Sequence, residues 1–159
     1  MRVRKLTAAD VCAVTGYNRD QLRGLLKELP EWSAAPGERM ARAYSAHDLI
    51  VLSVVHVLDA VVGMRRKMIA AAFSQLQEAL SGPKSIAANA RLIITFAPLR
   101  VDYSDGKITV AEGLIVSLQP IFGRIDQYLG AVKVQPASSQ ANLRLGPTLV
   151  GSRRRRGST

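Results

Sequence analysis

The chain has 159 residues, of which 48% are hydrophobic and 21% charged, a composition typical of a globular protein and unlike that of a disordered or collagenous one. Its net charge of +10 at pH 7 favours an anionic partner. The single cysteine, Cys12, excludes an intrachain disulfide framework and cysteine-rich zinc modules. With only His47 and His56 as histidines, we expect no metal site and no cofactor.

The chain also lacks the sequence signals of secretion and of membrane insertion. Its longest apolar run, residues 49–64, is interrupted by His56 and Asp59 and is shorter than the roughly 20 residues that span a bilayer. Residues 1–10 have no apolar core of the kind a secretion signal needs. We therefore expect a cytoplasmic protein in a reducing compartment, with no membrane contact.

The positive charge is concentrated at the C-terminus. Residues 131–159 carry six basic side chains, four of them in a run at 153–156, and no acidic one. The surrounding Ser, Pro and Gly residues predict a disordered basic tail. Such a tail binds polyanions with little sequence information, as a functional arm or merely as a solubilising end.

Two short helices are predicted near the N-terminus. Thr7, with Asp10 three residues later, is related to a capping box and starts a helix to about residue 14. Gly16 breaks that helix, and Asn18 caps a second one that continues to about residue 29, before Pro30.

The second helix is amphipathic. Its leucines follow the i, i+3, i+4, i+7 rule, at Leu22, Leu25, Leu26 and Leu29. Arg19, Gln21 and Arg23 remain on the outside. Two short helices joined by a tight glycine turn form the outline of a helix-turn-helix.

Residues 31–44 have no helical period and contain the turn dipeptide Pro36-Gly37, which predicts a small β-hairpin or wing. Ser45 and Asp48 then repeat the capping pattern and begin a long apolar helix, about residues 46–62, that ends at Gly63. A fourth helix follows at about residues 65–80.

Beyond residue 80 the hydrophobic period changes to that of strands. Strands are predicted at 92–96, 100–103 and 107–110, with a turn at 104–106 and a further short candidate at 114–116. Pro120 suits the first turn of a last helix that ends at about Leu129, before Gly130.

We therefore predict an α+β fold in three parts. A mostly helical winged helix-turn-helix spans residues 1–80, a small antiparallel β unit with a terminal helix spans 84–130, and the disordered basic tail spans 131–159.

Several motifs occur in the order and spacing of one known family. The chain has the pair Leu22-Arg23 in its second helix, the sequence Arg42-Ala43-Tyr44-Ser45 at the end of the wing, and Asp48-Leu49 in the next helix. Gly63 and Ile69 are then separated as in the family's glycine and isoleucine link to its fourth helix. Over about residues 7–80 the chain resembles the MerR family of winged-helix transcriptional regulators.

The resemblance implies that the second helix enters the DNA major groove while the wing contacts the flanking backbone. It places Arg19 and Gln21 near bases or phosphates, Arg23 on the backbone and Arg42 in the wing. Together with the basic cluster at the start of the fourth helix, which has no evident structural role, the predicted DNA-contacting residues are Asn18, Arg19, Gln21, Arg23, Lys27, Arg39, Arg42, Tyr44, Arg65, Arg66 and Lys67.

The chain departs from the family pattern in two places. The family's aromatic-aromatic-acid triplet is replaced by Gly24-Leu25-Leu26, so one tyrosine contact to phosphate is missing. The family's long dimerising coiled coil is also not visible in residues 81–130. We expect dimerisation either through the apolar helix at 46–62, which has more apolar surface than one small winged helix covers, or through residues 81–130.

Other residue groups favour structural roles. Ser53, His56 and Asp59 contain the residue types of a catalytic triad, but their i, i+3, i+6 spacing on one helix keeps them from surrounding one imidazole. Trp32 and Tyr44 are expected mainly to pack the wing. With no phosphate-binding glycine loop and no nucleophile motif, the chain is not expected to be an enzyme.

The sequence thus predicts a cytoplasmic, nucleoid-associated regulator that binds double-stranded DNA as a homodimer. Two alternatives remain at this point. One is an architectural factor of the excisionase type that bends DNA. The other is an adaptor whose winged helix has lost DNA affinity and whose residues 84–130 bind a protein partner or a small effector.

Overall fold

The structure is a computed structural model and describes residues 5–30, 32, 43–81, 89–107 and 112–131. Most of the predicted wing, most of the predicted strand at 107–110 and nearly all of the predicted basic tail lie outside these residues. The helices are Ala8–Thr15 (α1), Arg19–Glu28 (α2), Ala46–His56 (α3), Arg66–Leu80 (α4) and Gln119–Ala131 (α5). The strands are Arg91–Phe96 (β1), Leu99–Ser104 (β2) and Leu114–Ser117 (β3). The predicted α+β class is confirmed.

The first three helices begin where their capping residues predict. The Asp10 carboxylate accepts the Thr7 N–H at 2.6 Å at the start of α1. At the start of α3, the Asp48 N–H donates to Ser45 Oγ at 3.1 Å and the Ser45 N–H donates to the Asp48 carboxylate at 2.8 Å. These reciprocal bonds satisfy N–H groups that a helix start otherwise leaves without partners.

α3 is the central helix of the molecule. Its residues 49–55 are all buried, each no more than 1% exposed. α1, α4 and α5 pack around it. α5 of the same chain thus covers residues 49–55, whereas Val61 and Val62, at the end of the predicted helix, are 73% and 45% exposed. The dimer contact predicted for residues 46–62 or 81–130 stays a prediction.

The predicted helix at 46–62 changes character in its last turn. Residues Val57–Val61 form a π-helical turn, in which the Val62 N–H donates to the carbonyl five residues back, on Val57, at 2.9 Å. Gly63, at φ +76°, then reverses the chain in a left-handed conformation that favours glycine.

The three strands form an antiparallel sheet in the order β2-β1-β3. The short strand at 114–116 is confirmed as β3, and it pairs with β1, where Leu92 faces Val116. One face of the sheet contributes to the core through residues on all three strands: Leu92, Ile94, Val101 and Val116. α5 continues through Gly130 to Ala131, slightly beyond its predicted end.

The outer edge of β2 is covered by a side chain of α4. The amide nitrogen of Gln75 donates to the Leu99 carbonyl at 3.0 Å, and its amide oxygen accepts the Val101 N–H at 3.0 Å. These are groups that a neighbouring strand would otherwise pair with. Gln75 therefore satisfies part of a sheet edge and ties α4 to the sheet.

The buried residues form one continuous core from Leu6 to Ile125, shared by the helical and the β-containing parts. The Tyr128 hydroxyl on α5 also donates to the Asp10 carboxylate at the start of α1. In the described part of the chain, no helix has both the length and the hydropathy needed to cross a bilayer.

We predict that Gln75→Met lowers the free energy of unfolding by about 1–3 kcal/mol, because it leaves a half-buried N–H and a half-buried C=O without their partners. The measurement is urea denaturation followed by circular dichroism. Gln77→Met, on the same helix, is the matched control and should change stability by about 0.5 kcal/mol or less. Equal losses of stability in the two variants would contradict this role of Gln75.

Candidate nucleic-acid interface

The turn between α1 and α2 depends on Gly16. This residue has φ +91°, a left-handed conformation that side chains rarely adopt, and its N–H donates to the Cys12 carbonyl at 2.9 Å to end α1. Tyr17 follows and is only 5% exposed. The two helices are thus joined by a short, anchored turn, as the sequence predicts.

α2 is held by its apolar face and exposes its basic one. Leu22 and Leu25 are buried in the core. Arg19, Arg23 and Lys27 are all exposed and spaced four residues apart, so they lie on one side of the helix over about 12 Å. We call these three residues the α2 stripe.

The positive charge of the α2 stripe remains available to a ligand. Among the described residues, its ion pair is between Arg23 and Asp20, at 3.9 Å with side-chain exposures of 70% and 91%. Exposed pairs of this kind contribute little and are readily exchanged for another partner.

Asn18 and Gln21, both predicted DNA contacts, form the N-terminal cap of α2. Asn18 Oδ1 accepts the Gln21 N–H at 2.8 Å, and Gln21 Oε1 accepts the Asn18 N–H at 3.0 Å. Each side chain uses its oxygen in the cap, so its amide NH₂ group is the part that can still donate a hydrogen bond.

The two ends of the predicted wing are anchored in the core. The Tyr44 N–H donates to the Leu6 carbonyl at 3.0 Å in an antiparallel bridge. Trp32 packs edge-on against Tyr44 and Phe73, with ring centroids 6.3 and 5.4 Å apart. Arg39 and Arg42 lie outside the described residues.

Tyr44, one of the predicted DNA contacts, is packed into the core. The residue is only 8% exposed and belongs to the core, because its ring fills the space between the N-terminal segment and Trp32. Its contact with Trp32 is the packing role also expected for it.

The three residues of the predicted basic cluster at the start of α4 differ in their exposure. Arg65 and Lys67 are exposed, whereas Arg66 is half-buried and is directed toward α2. Arg65 occupies the N-cap position and provides no side-chain cap. Basic residues beside the N–H groups of a helix start form an environment that favours an anion.

Arg66 belongs to a polar cluster that the sequence did not predict. Its Nε lies 3.6 Å from Asp59 Oδ2, and its Nη1 lies 3.9 Å from Glu28 Oε1 at the end of α2. Asp59, in the π-helical turn, also accepts the Tyr17 hydroxyl proton at 2.9 Å. We call Tyr17, Glu28, Asp59 and Arg66 the Asp59 cluster.

The ionisation of Tyr17 is suppressed in this cluster. Burial raises the pKa of Tyr17, and the hydrogen bond to Asp59 raises it further. The hydroxyl therefore remains a donor throughout the physiological range. In the sequence, Asp59 is the one acidic residue of the apolar run 49–64, and this was the signal that could have pointed to the cluster.

The residues with triad chemistry do not form a relay. His56 packs edge-on against Tyr17, with ring centroids 4.6 Å apart, and Asp59 binds Tyr17 and Arg66 instead. Within the described residues, Ser53 Oγ has no hydrogen-bond partner. The same part of the chain contains no group of three His, Cys, Asp or Glu residues placed to hold a metal ion.

Burial also affects two titratable groups near the turn. It raises the pKa of the Cys12 thiol, which disfavours the thiolate. It lowers the pKa of His56, with a further lowering from the positive charge of Arg124 and an opposing effect of Asp59. His56 is therefore favoured in its neutral form beside the helix-turn-helix.

Comparison of the chain with models of known protein families, with curated proteins and with solved structures gave no match.

We predict that stability falls as the pH is lowered below about 6.5, in part because of His56. Its folded-state pKa lies below the ordinary value of 6.5, so the unfolded chain takes up a proton that the folded chain resists. His56→Gln removes this contribution. Urea midpoints at pH 7 and pH 5 should therefore differ less in the variant than in the wild-type protein, and equal differences would contradict the prediction.

Proposed function

We propose that this protein is a sequence-specific DNA-binding regulator of transcription that places α2 in the major groove. The observation that supports this most directly is the α2 stripe. A helix fixed by buried leucines presents Arg19, Arg23 and Lys27 on one exposed side, next to a tight glycine turn.

The dimensions and chemistry of α2 suit double-stranded DNA. The major groove is about 12 Å wide and admits one α-helix. Arginine can bond both acceptors of a guanine edge, and lysine or arginine can neutralise phosphates on either side. The cap amides of Asn18 and Gln21 add hydrogen-bond donors at the N-terminal end of the helix, the end that contacts bases in helix-turn-helix proteins.

Backbone contacts would come from two further segments. Trp32 and Tyr44, near the two ends of the predicted wing, pack beside the helices, and a wing between them would reach the flanking phosphates. Arg65 and Lys67, exposed at the start of α4, would provide a second contact. Contacts of this kind position a protein on DNA without reading sequence.

The protein would act as a dimer on a two-fold DNA site. One recognition helix contacts too few base pairs for useful discrimination, and a second copy about one helical turn away provides the rest. We place the dimer contact at the end of residues 46–62, where Val61 is 73% exposed and Val62 is 45% exposed. Such a protein would be associated with the nucleoid and would need no catalytic activity.

We predict that Arg19→Ala with Arg23→Ala abolishes selective DNA binding. A duplex would first be selected from a random library with the wild-type full chain. Fluorescence anisotropy on this duplex and on a scrambled one, from 50 to 200 mM salt, should then show at least a tenfold lower affinity for the selected duplex. The slope of log affinity against log salt should also fall by about 0.9 for each phosphate that the variant no longer neutralises.

The charge-matched control is Arg91→Ala with Arg100→Ala, which removes the same charge from the sheet. Its binding should stay within about twofold of wild type, since these residues lie on β1 and β2 rather than on α2. If affinity fell equally in the two double variants, binding would be nonspecific and would not depend on α2. If the wild-type chain selected no duplex, the adaptor interpretation would replace this one.

A further inference from the structure

We propose that Arg66 is a positioning residue for α2 rather than a DNA contact, acting as a clamp between the end of α2 and the π-helical turn. The geometry of this clamp comes from the Asp59 cluster. Its effect on DNA binding rests on the proposed function.

The clamp connects three elements through polar side chains. Arg66 starts α4, Glu28 ends α2 and Asp59 lies in the π-helical turn after α3. The guanidinium approaches both carboxylates, at 3.6 Å from Asp59 and 3.9 Å from Glu28. Because Asp59 also accepts the Tyr17 hydroxyl proton, both ends of α2 are tied to the same cluster.

Arg66 also lies beside Gly24, in the middle of α2. A Cβ atom at position 24 would lie 3.5 Å from Arg66 Nη1, so the guanidinium lies directly over the middle of α2. The glycine stands in the segment where the sequence departs from the MerR pattern. An alanine at this position would fit beside the guanidinium, whereas a longer side chain directed toward Arg66 would compete with it for space.

Arg66 differs from Arg65 and Lys67 in the charges that surround it. Arg66 is 33% exposed and faces two carboxylates, of which Asp59 is only 18% exposed. Two carboxylates of the protein itself are therefore already beside its charge. Arg65 and Lys67 are exposed on either side of it and form no ion pair within the described ranges, so they keep their charge for phosphates.

The π-helical turn is what brings Asp59 to this place. Its wider turn ends with the Val62 N–H bonded to Val57 and the Met64 N–H bonded to Leu58, at 2.9 and 2.8 Å. An insertion of this kind redirects a side chain relative to a regular helix. Here it directs a carboxylate toward Tyr17 and Arg66.

The test compares Arg66→Met with Arg65→Met in the full chain, using the selected and the scrambled duplexes across the same salt series. Arg65→Met should reduce the salt slope by about 0.9, as expected when one phosphate is no longer neutralised. Arg66→Met should leave the slope unchanged and lower affinity for the selected duplex by about two- to tenfold, with little change on the scrambled one. A reduced slope in Arg66→Met would overturn the proposal.

Asp59→Asn provides a second variant at the other end of the clamp. It should reduce the ratio of selected to scrambled affinity as Arg66→Met does. Because the two residues act through one contact, the double variant should be no worse than the more affected single variant. Fully additive effects on that ratio would overturn the pairing.

Amide hydrogen exchange of the free protein gives a readout that needs no DNA. In Arg66→Met, the amides of α2 should exchange at least several-fold faster while those of α5 remain unchanged. Unchanged exchange in α2 would overturn the clamp. If the wild-type chain bound no duplex but exchange in α2 still increased, the proposed function would fail and the clamp would stand.

Discussion

The burial of α3 on every side is the constraint on which the rest of the structure depends. Residues 49–55 are seven consecutive positions with almost no exposure. A helix that is apolar all round is stable only when other elements cover its whole circumference. α1, α4 and α5 do so here, and each is oriented by its contact with α3. α2 is placed one step further out, through its packing against α1 and α4.

This arrangement gives α2 a different kind of support from the central helices. Its leucines fix one face, while the α2 stripe on the opposite face is exposed. Apolar packing is nondirectional and leaves a helix some freedom to rotate or slide. Ion pairs and hydrogen bonds depend more strongly on direction. The Asp59 cluster therefore adds orientation where packing alone is least restrictive.

The sequence predicted the helices well because their starts carry local chemistry. The pairs at Thr7 and Asp10, Asn18 and Gln21, and Ser45 and Asp48 each form a reciprocal cap in the structure. The exposed residues of α2 could likewise be named from helical periodicity alone. The α+β class followed from the change of period after residue 80.

Tertiary contacts were beyond the reach of the sequence pattern. The cover of α3 by α5 joins segments about 70 residues apart, so the sequence left that surface to a second copy. From the sequence, Arg66 was predicted to be equivalent to Arg65 and Lys67, because its partners, Glu28 and Asp59, lie on other elements. Tyr44 was assigned to DNA by resemblance, whereas its burial depends on Trp32 and the core around it.

The bond between Tyr128 and Asp10 has a consequence for modularity. The Asp10 carboxylate, which caps α1, also accepts the hydroxyl proton of Tyr128 on α5, and α5 covers α3. α1 and α5 thus share one carboxylate and one core. A fragment cut after residue 80 would expose an apolar side of α3 to water. α1 and α2 are therefore not a portable unit that can be grafted onto another protein without the helix that completes their core.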